Sequence, residues 1–208
     1  MSKKQAPLNA LQAYLPPNTY EPVLHYLHQY KVHLTVARER KSILGDYRHR
    51  HGAHTHRISV NGNLNPYAFL VTLLHELAHL LTFEKWGNRV AAHGREWKAV
   101  FGQLLAQFIE HDVFPHDIRQ VLLQSLHNPA ASSCADEALL RILRQYDEKK
   151  SGVLFVEDVP AGTLFQTHDG RVFQKGNKVR KRFRCVEVAT KRLYLFSPVY
   201  EVVPIEAN

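Results

Sequence analysis

Two histidines four residues apart, with a glutamate beside the first, carry the most chemistry in the sequence: His75-Glu76-Leu77-Ala78-His79. In a helix, residues at this spacing stand one above the other on a single face, so both imidazoles can reach one metal ion. Neutral imidazole suits zinc. Glu76 can reach a water held at that metal without binding the metal itself, which is where a general base belongs. The bland reading is three polar groups on an amphipathic helix with no metal. Their neighbours argue against it: Leu73, Leu74, Leu77, Ala78, Leu80 and Leu81 surround them, and a core helix excludes ionisable groups unless they are paired or bind a metal.

A catalytic site needs a third protein ligand and an open position for water. Glu84, His93, Glu96, His111 and Asp112 follow in the sequence. Glu84 lies five residues past His79 and is rotated off the ligand face. His93 is better placed, because Trp86-Gly87-Asn88 reads as a helix stop and a second amphipathic run follows over 96–110. His93 then sits at the start of a helix that packs back on the first. The metzincin pattern is excluded, since Lys85 stands where its third histidine falls and the only methionine is Met1.

His75-Glu76-Leu77-Ala78-His79-Leu80, then Trp86-Gly87, then His93-Gly94-Arg95-Glu96-Trp97, resembles the SprT-like zinc metallopeptidase family, which includes the bacterial SprT proteins and the eukaryotic protease Spartan. The resemblance spans roughly residues 8–114. It implies one zinc per chain on His75, His79 and His93, with Glu76 as base. It implies peptide-bond hydrolysis in protein substrates and, from the eukaryotic branch, a link to DNA-bound ones. It also implies a zincin-like α+β domain with a small sheet before the HExxH helix. Many bacterial members carry a C-terminal zinc ribbon of paired cysteines, and here the sequence departs from them. Arg182-Phe183-Arg184-Cys185 looks like the remnant of one pair, with Val188 where a second thiolate belongs, so no second structural zinc is expected.

The elements that must position these residues follow from periodicity. A short helix over 8–15 stops at Pro16-Pro17, and Asn18 or Thr19 caps a second helix through Tyr30. Strands are expected over 32–38, 42–49 and 55–60, with a turn at Asn61-Gly62-Asn63 before Asn65-Pro66 opens the metal helix. Helices over 96–110 and 117–126, a linker over 128–133 and an amphipathic helix over 135–146 come next. From Val153 the pattern turns to short β runs, expected at 153–156, 163–168, 171–174, 179–187, 192–196 and 200–203, a small antiparallel module. The expected division is a SprT-like domain at 1–127, a linker and helix at 128–152, and a basic β-module at 153–208.

Composition bounds the partners. Hydrophobic residues make up 45% of the 208, enough for an ordinary core, and two cysteines cannot form a disulfide framework or a four-cysteine zinc site. No apolar signal core follows Met1, and the apolar run at 68–83 is short for a membrane span, so a soluble cytoplasmic protein without a membrane partner is expected. A net charge of +8 favours polyanions. Residues 171–192 hold nine Lys or Arg against one Glu, and Arg180, Arg182 and Arg184 on one strand face would track DNA phosphates, against the alternative of a solvated face that keeps a sheet edge soluble. A weaker basic cluster, including Arg40, Lys41, Arg48 and Arg50, lies in the first sheet region with His49, His51, His54 and His56. The competing functional class is a non-catalytic nucleic-acid-binding or adaptor protein whose zinc site is structural or vestigial.

Overall fold

The computed structural model describes residues 8–40, 43–50, 55–130, 136–148 and 152–205. Lys41, Ser42, His51, His54, Cys134 and the expected linker from residue 131 on lie outside them. The described residues form a mixed α+β protein with five α-helices and two sheets, divided into two compact units, Met1–Asp147 and Glu148–Asn208.

In the first unit, α1 (Tyr20–Gln29) buries Val23 and Leu27. Thr19 holds its N-cap position, but the hydroxyl donates to Pro16 O at 2.7 Å instead of capping the helix. Three strands follow, β1 (His33–Ala37), β2 (Gly45–Arg48) and β3 (Arg57–Asn61), in the order β1-β3-β2. The central strand β3 runs parallel to β1, with Leu34 opposite Ile58, and antiparallel to β2, with Tyr47 opposite Ile58. Ile58 and Val60 turn into the core. Arg40 ties the chain between β1 and β2 to β3: its guanidinium donates to Asn61 Oδ1 at 2.7 Å and Ser59 Oγ at 2.9 Å. Arg48 pairs with Asp46 and Arg50 with Glu84, so these three arginines of the basic cluster have partners within the unit.

Helix α2 (Pro66–Trp86), which carries His75, Glu76 and His79, starts where Asn65 Oδ1 accepts from the Ala68 amide at 2.9 Å and Pro66 fills the first turn. It ends at Gly87, whose φ of 61° suits glycine. At 21 residues α2 is longer than the apolar run of the sequence and long and apolar enough to cross a membrane, but 72% of its most apolar window is buried inside the protein. A helix apolar on all sides is one that other elements surround. Here Leu73, Leu74 and Leu77 share one core with Trp97, Leu104, Leu105 and Phe108 of α3 (Arg95–Glu110), all under 4% exposed. Ile118 and Leu122 of α4 (His116–Ser125) and Leu139 and Leu143 of α5 (Glu137–Leu143) complete that core. The amphipathic helix expected over 135–146 thus begins at its Asp136 cap and packs within the first unit.

The second unit is a six-stranded antiparallel sheet of β4 (Leu154–Phe155), β5 (Leu164–Gln166), β6 (Val172–Val179), β7 (Arg182–Glu187), β8 (Leu193–Phe196) and β9 (Glu201–Pro204), ordered β4-β9-β5-β6-β7-β8. Phe165, Phe173, Cys185 and Val202 form its separate core. Two expectations need correcting. Lys175-Gly176-Asn177 is no turn; the register between β6 and β7 shifts there, a bulge inside a longer strand. The turn lies at Arg180-Lys181, between the paired Val179 and Arg182, with Arg180 at φ 55°. Arg180 is therefore outside the strand face that carries Arg182 and Arg184, and the row of three guanidinium groups is reduced to two. A positive φ at the first turn residue matches the right-handed twist of a hairpin, which outweighed the local β propensity of 179–187.

Candidate metal centre

His75 and His79 stand one turn apart on α2, and His93 reaches them from the residues just before α3. The Nε2 atoms of His79 and His93 lie 3.2 and 3.4 Å from His75 Nε2. All three ligand atoms fall within 4.8 Å of one another, the one such group of His, Cys, Asp or Glu among the described residues. Nitrogens bound to one tetrahedral zinc at 2.0–2.1 Å sit about 3.3 Å apart. His75 keeps that spacing to both of its partners. Three neutral imidazoles this close also have no proton arrangement that hydrogen-bonds all of them, whereas a cation satisfies every lone pair. Of the other ligand candidates, Glu84 is 3.2 Å from both Arg50 Nη2 and His56 Nε2, and neither it nor Glu96, His111 or Asp112 joins the group.

Trp97 is the floor of the triad. Fully buried on the first turn of α3, its ring centroid lies 4.7 Å from His75, 5.2 Å from His79 and 4.7 Å from His93. Phe101, one turn on, closes against Trp97 and His75. Burial holds the histidines neutral, the form that donates a lone pair. For His75 desolvation comes first and then the charges of His79 and His93, taking its pKa down to about 3; His79 falls to about 4, and His93 is lowered as well.

Glu76 is 6% exposed, and its environment pushes the carboxyl up to about 8, chiefly by desolvation, then by the Asp46 charge, against a smaller opposing pull from Arg40. Its wall is β2. A Cβ at Gly45 would overlap Glu76 Oε1 and stand 2.8 Å from Thr72 Cγ2, so only glycine lets this strand lie so close. Two residues on, the Tyr47 ring stacks parallel to His79 with centroids 6.4 Å apart. The Tyr47 hydroxyl hydrogen-bonds His56 Nδ1 at 2.9 Å, and the far side of that buried imidazole approaches Glu84 Oε1 at 3.2 Å without hydrogen-bond alignment. A Glu84–His56–Tyr47 chain thereby fixes β2 against the metal helix.

The structure brings the three histidines into one group, with Glu76 following His75 on α2 and its carboxylate against Gly45 of β2, while Arg182 and Arg184 belong to the other unit. Gly45 and Tyr47 are the site residues that sequence reasoning missed, and His56 was named there only in the basic cluster. Tyr47 and His56 had a weak signal, a tyrosine in β2 and a histidine just before β3, both ahead of α2. Gly45 had none, because its role is a contact with a residue far along the chain.

An α+β domain in which three imidazoles converge defines a candidate metal-binding protein. Residues 20–119, from the start of α1 into α4, match the model of the SprT-like family, and this part of the chain is a SprT-like domain. No curated protein and no solved structure gives a significant match to the chain.

Proposed function

We propose that this protein is a zinc-dependent metallopeptidase of zincin type that hydrolyses peptide bonds in protein substrates. The carrying observation is the convergence of His75, His79 and His93, with the Nε2 atoms of the last two 3.2 and 3.4 Å from that of His75, and with Glu76 next to His75 on α2. Imidazole donors select zinc among the common divalent ions that accept nitrogen in tetrahedral geometry. The three donors found among the described residues leave a coordination position open, as a catalytic site does; a structural site closes all four. This favours the enzyme over the adaptor reading.

Bound zinc would act as a Lewis acid that polarises the scissile carbonyl and acidifies the attacking water. Glu76 takes the proton from that water as its oxygen bonds to the carbonyl carbon, then delivers it to the amide nitrogen as the C–N bond breaks. A carboxyl held near neutrality in its proton affinity suits both halves of this transfer. Gly45 and Thr72 confine the Glu76 side chain, and Trp97 keeps bulk water from the buried side of the triad.

Purified protein is expected to carry about one zinc per chain by elemental analysis. Glu76→Gln should retain that zinc while cleavage of a chemically unfolded protein falls by roughly 100-fold or more. An absence of cleavage in both would transfer the site to the adaptor class, and equal cleavage by both would dismiss Glu76 as the base.

A further inference from the structure

We propose that the outer face and free edge of β8 dock an extended, acidic segment of another protein, which joins the sheet as an additional strand. Strand β8 ends the six-stranded sheet and pairs only with β7 among the described residues, so its second edge presents unpaired backbone donors and acceptors. Leu193 and Leu195 project from its outer face at 62% and 58% exposure, more than any other large hydrophobic side chain of the described residues. Tyr194 and Phe196 point the other way, onto the core of the unit. A soluble sheet edge is ordinarily guarded by charge, proline or a bulge at this position, and here two leucines stand in the open.

Charge selects the occupant. Arg184 lies directly opposite Leu195 on the same face, Arg182 follows two residues along, and Arg192 precedes the strand, all exposed. The single acidic residue within 179–196, Glu187, is buried and engaged by Thr190 and Arg171. The face therefore offers cations, two apolar side chains and a free ladder edge together, which matches a peptide strand alternating acidic and apolar residues. A second copy of this chain would set the same arginines against each other. Nucleic acid fits less well, because the aromatic side chains of β7 and β8 pack on the inner face and leave no ring on which bases can stack.

The test uses the full chain as Glu76→Gln, so that no probe is cut, and is independent of the hydrolase proposal. A fluorescein-labelled peptide alternating glutamate with valine is titrated with the protein and followed by anisotropy. It should bind, lose binding when alternate amides are N-methylated, and lose about tenfold or more in affinity to the double variant Leu193→Gln, Leu195→Gln, whose circular dichroism and metal content stay unchanged. The proposal is overturned if the peptide does not bind, or if binding ignores either N-methylation or the leucine changes. A single-stranded DNA oligomer that binds while the peptide does not would assign the face to nucleic acid. Self-association in sedimentation without peptide binding would assign it to a second copy.

Discussion

Burial of the Glu76 carboxyl makes the stability of the metal-free protein respond to pH in a direction opposite to most carboxylates. Its folded pKa of about 8 lies above the ordinary value of 4.5, so between those limits the folded state binds more protons than the unfolded chain. The contribution is complete below pH 4.5 and is lost as pH rises through 8. Thermal unfolding of the metal-free protein and of Glu76→Gln should therefore differ by an amount that shifts against the native sequence across this window; a constant difference would show that the carboxyl is not buried. His75 and His79, lowered to about 3 and 4, act with the other sign, their share appearing as pH rises toward 6.5. The triad was legible because helical spacing and the later histidine report geometry directly. Trp97 stood out in the motif that follows His93, but its contact with all three rings did not, since periodicity gives the face a side chain occupies and not which rings it touches.

Strand β2 is where an element, rather than a residue, sets the chemistry. Within four residues it contributes the Gly45 gap that admits Glu76 and the Tyr47 ring that stacks on His79. In Gly45→Ala the new methyl must displace the Glu76 carboxylate or the strand itself. Peptide cleavage is expected to fall about 100-fold, as for a base moved by about an ångström, while zinc content holds. Loss of zinc along with activity would mean that the strand, not the base, had moved. Helices were easier to read than strands here. Both ends of α2 carry their signals in the sequence, Asn65-Pro66 and Gly87, whereas the alternation over 179–187 continues unbroken through a turn made of Arg180 and Lys181. The parallel pairing of β1 with β3 left no local trace, because it depends on which strands meet and not on either pattern alone.

At the scale of the whole molecule, two separate hydrophobic cores place the metal centre in one unit and the exposed β8 face in the other. A ligand that binds only the folded state stabilises it by about 4 kcal/mol at a thousand times its Kd. Chelation of the metal should accordingly lower the unfolding temperature of the first unit and leave that of the second unchanged, measured by calorimetry with and without a chelator. A common shift of both would show that they unfold as one. The change from helical to β periodicity near Val153 was plain in the sequence, and the boundary at Asp147 follows once α5 is seen to share the first core. The chain has two tryptophans, and of these Trp97 alone touches all three histidines. The protein consequently contains its own optical gauge: cobalt(II) entering the triad should dim indole emission in proportion to occupancy, and Trp97→Phe should silence the signal.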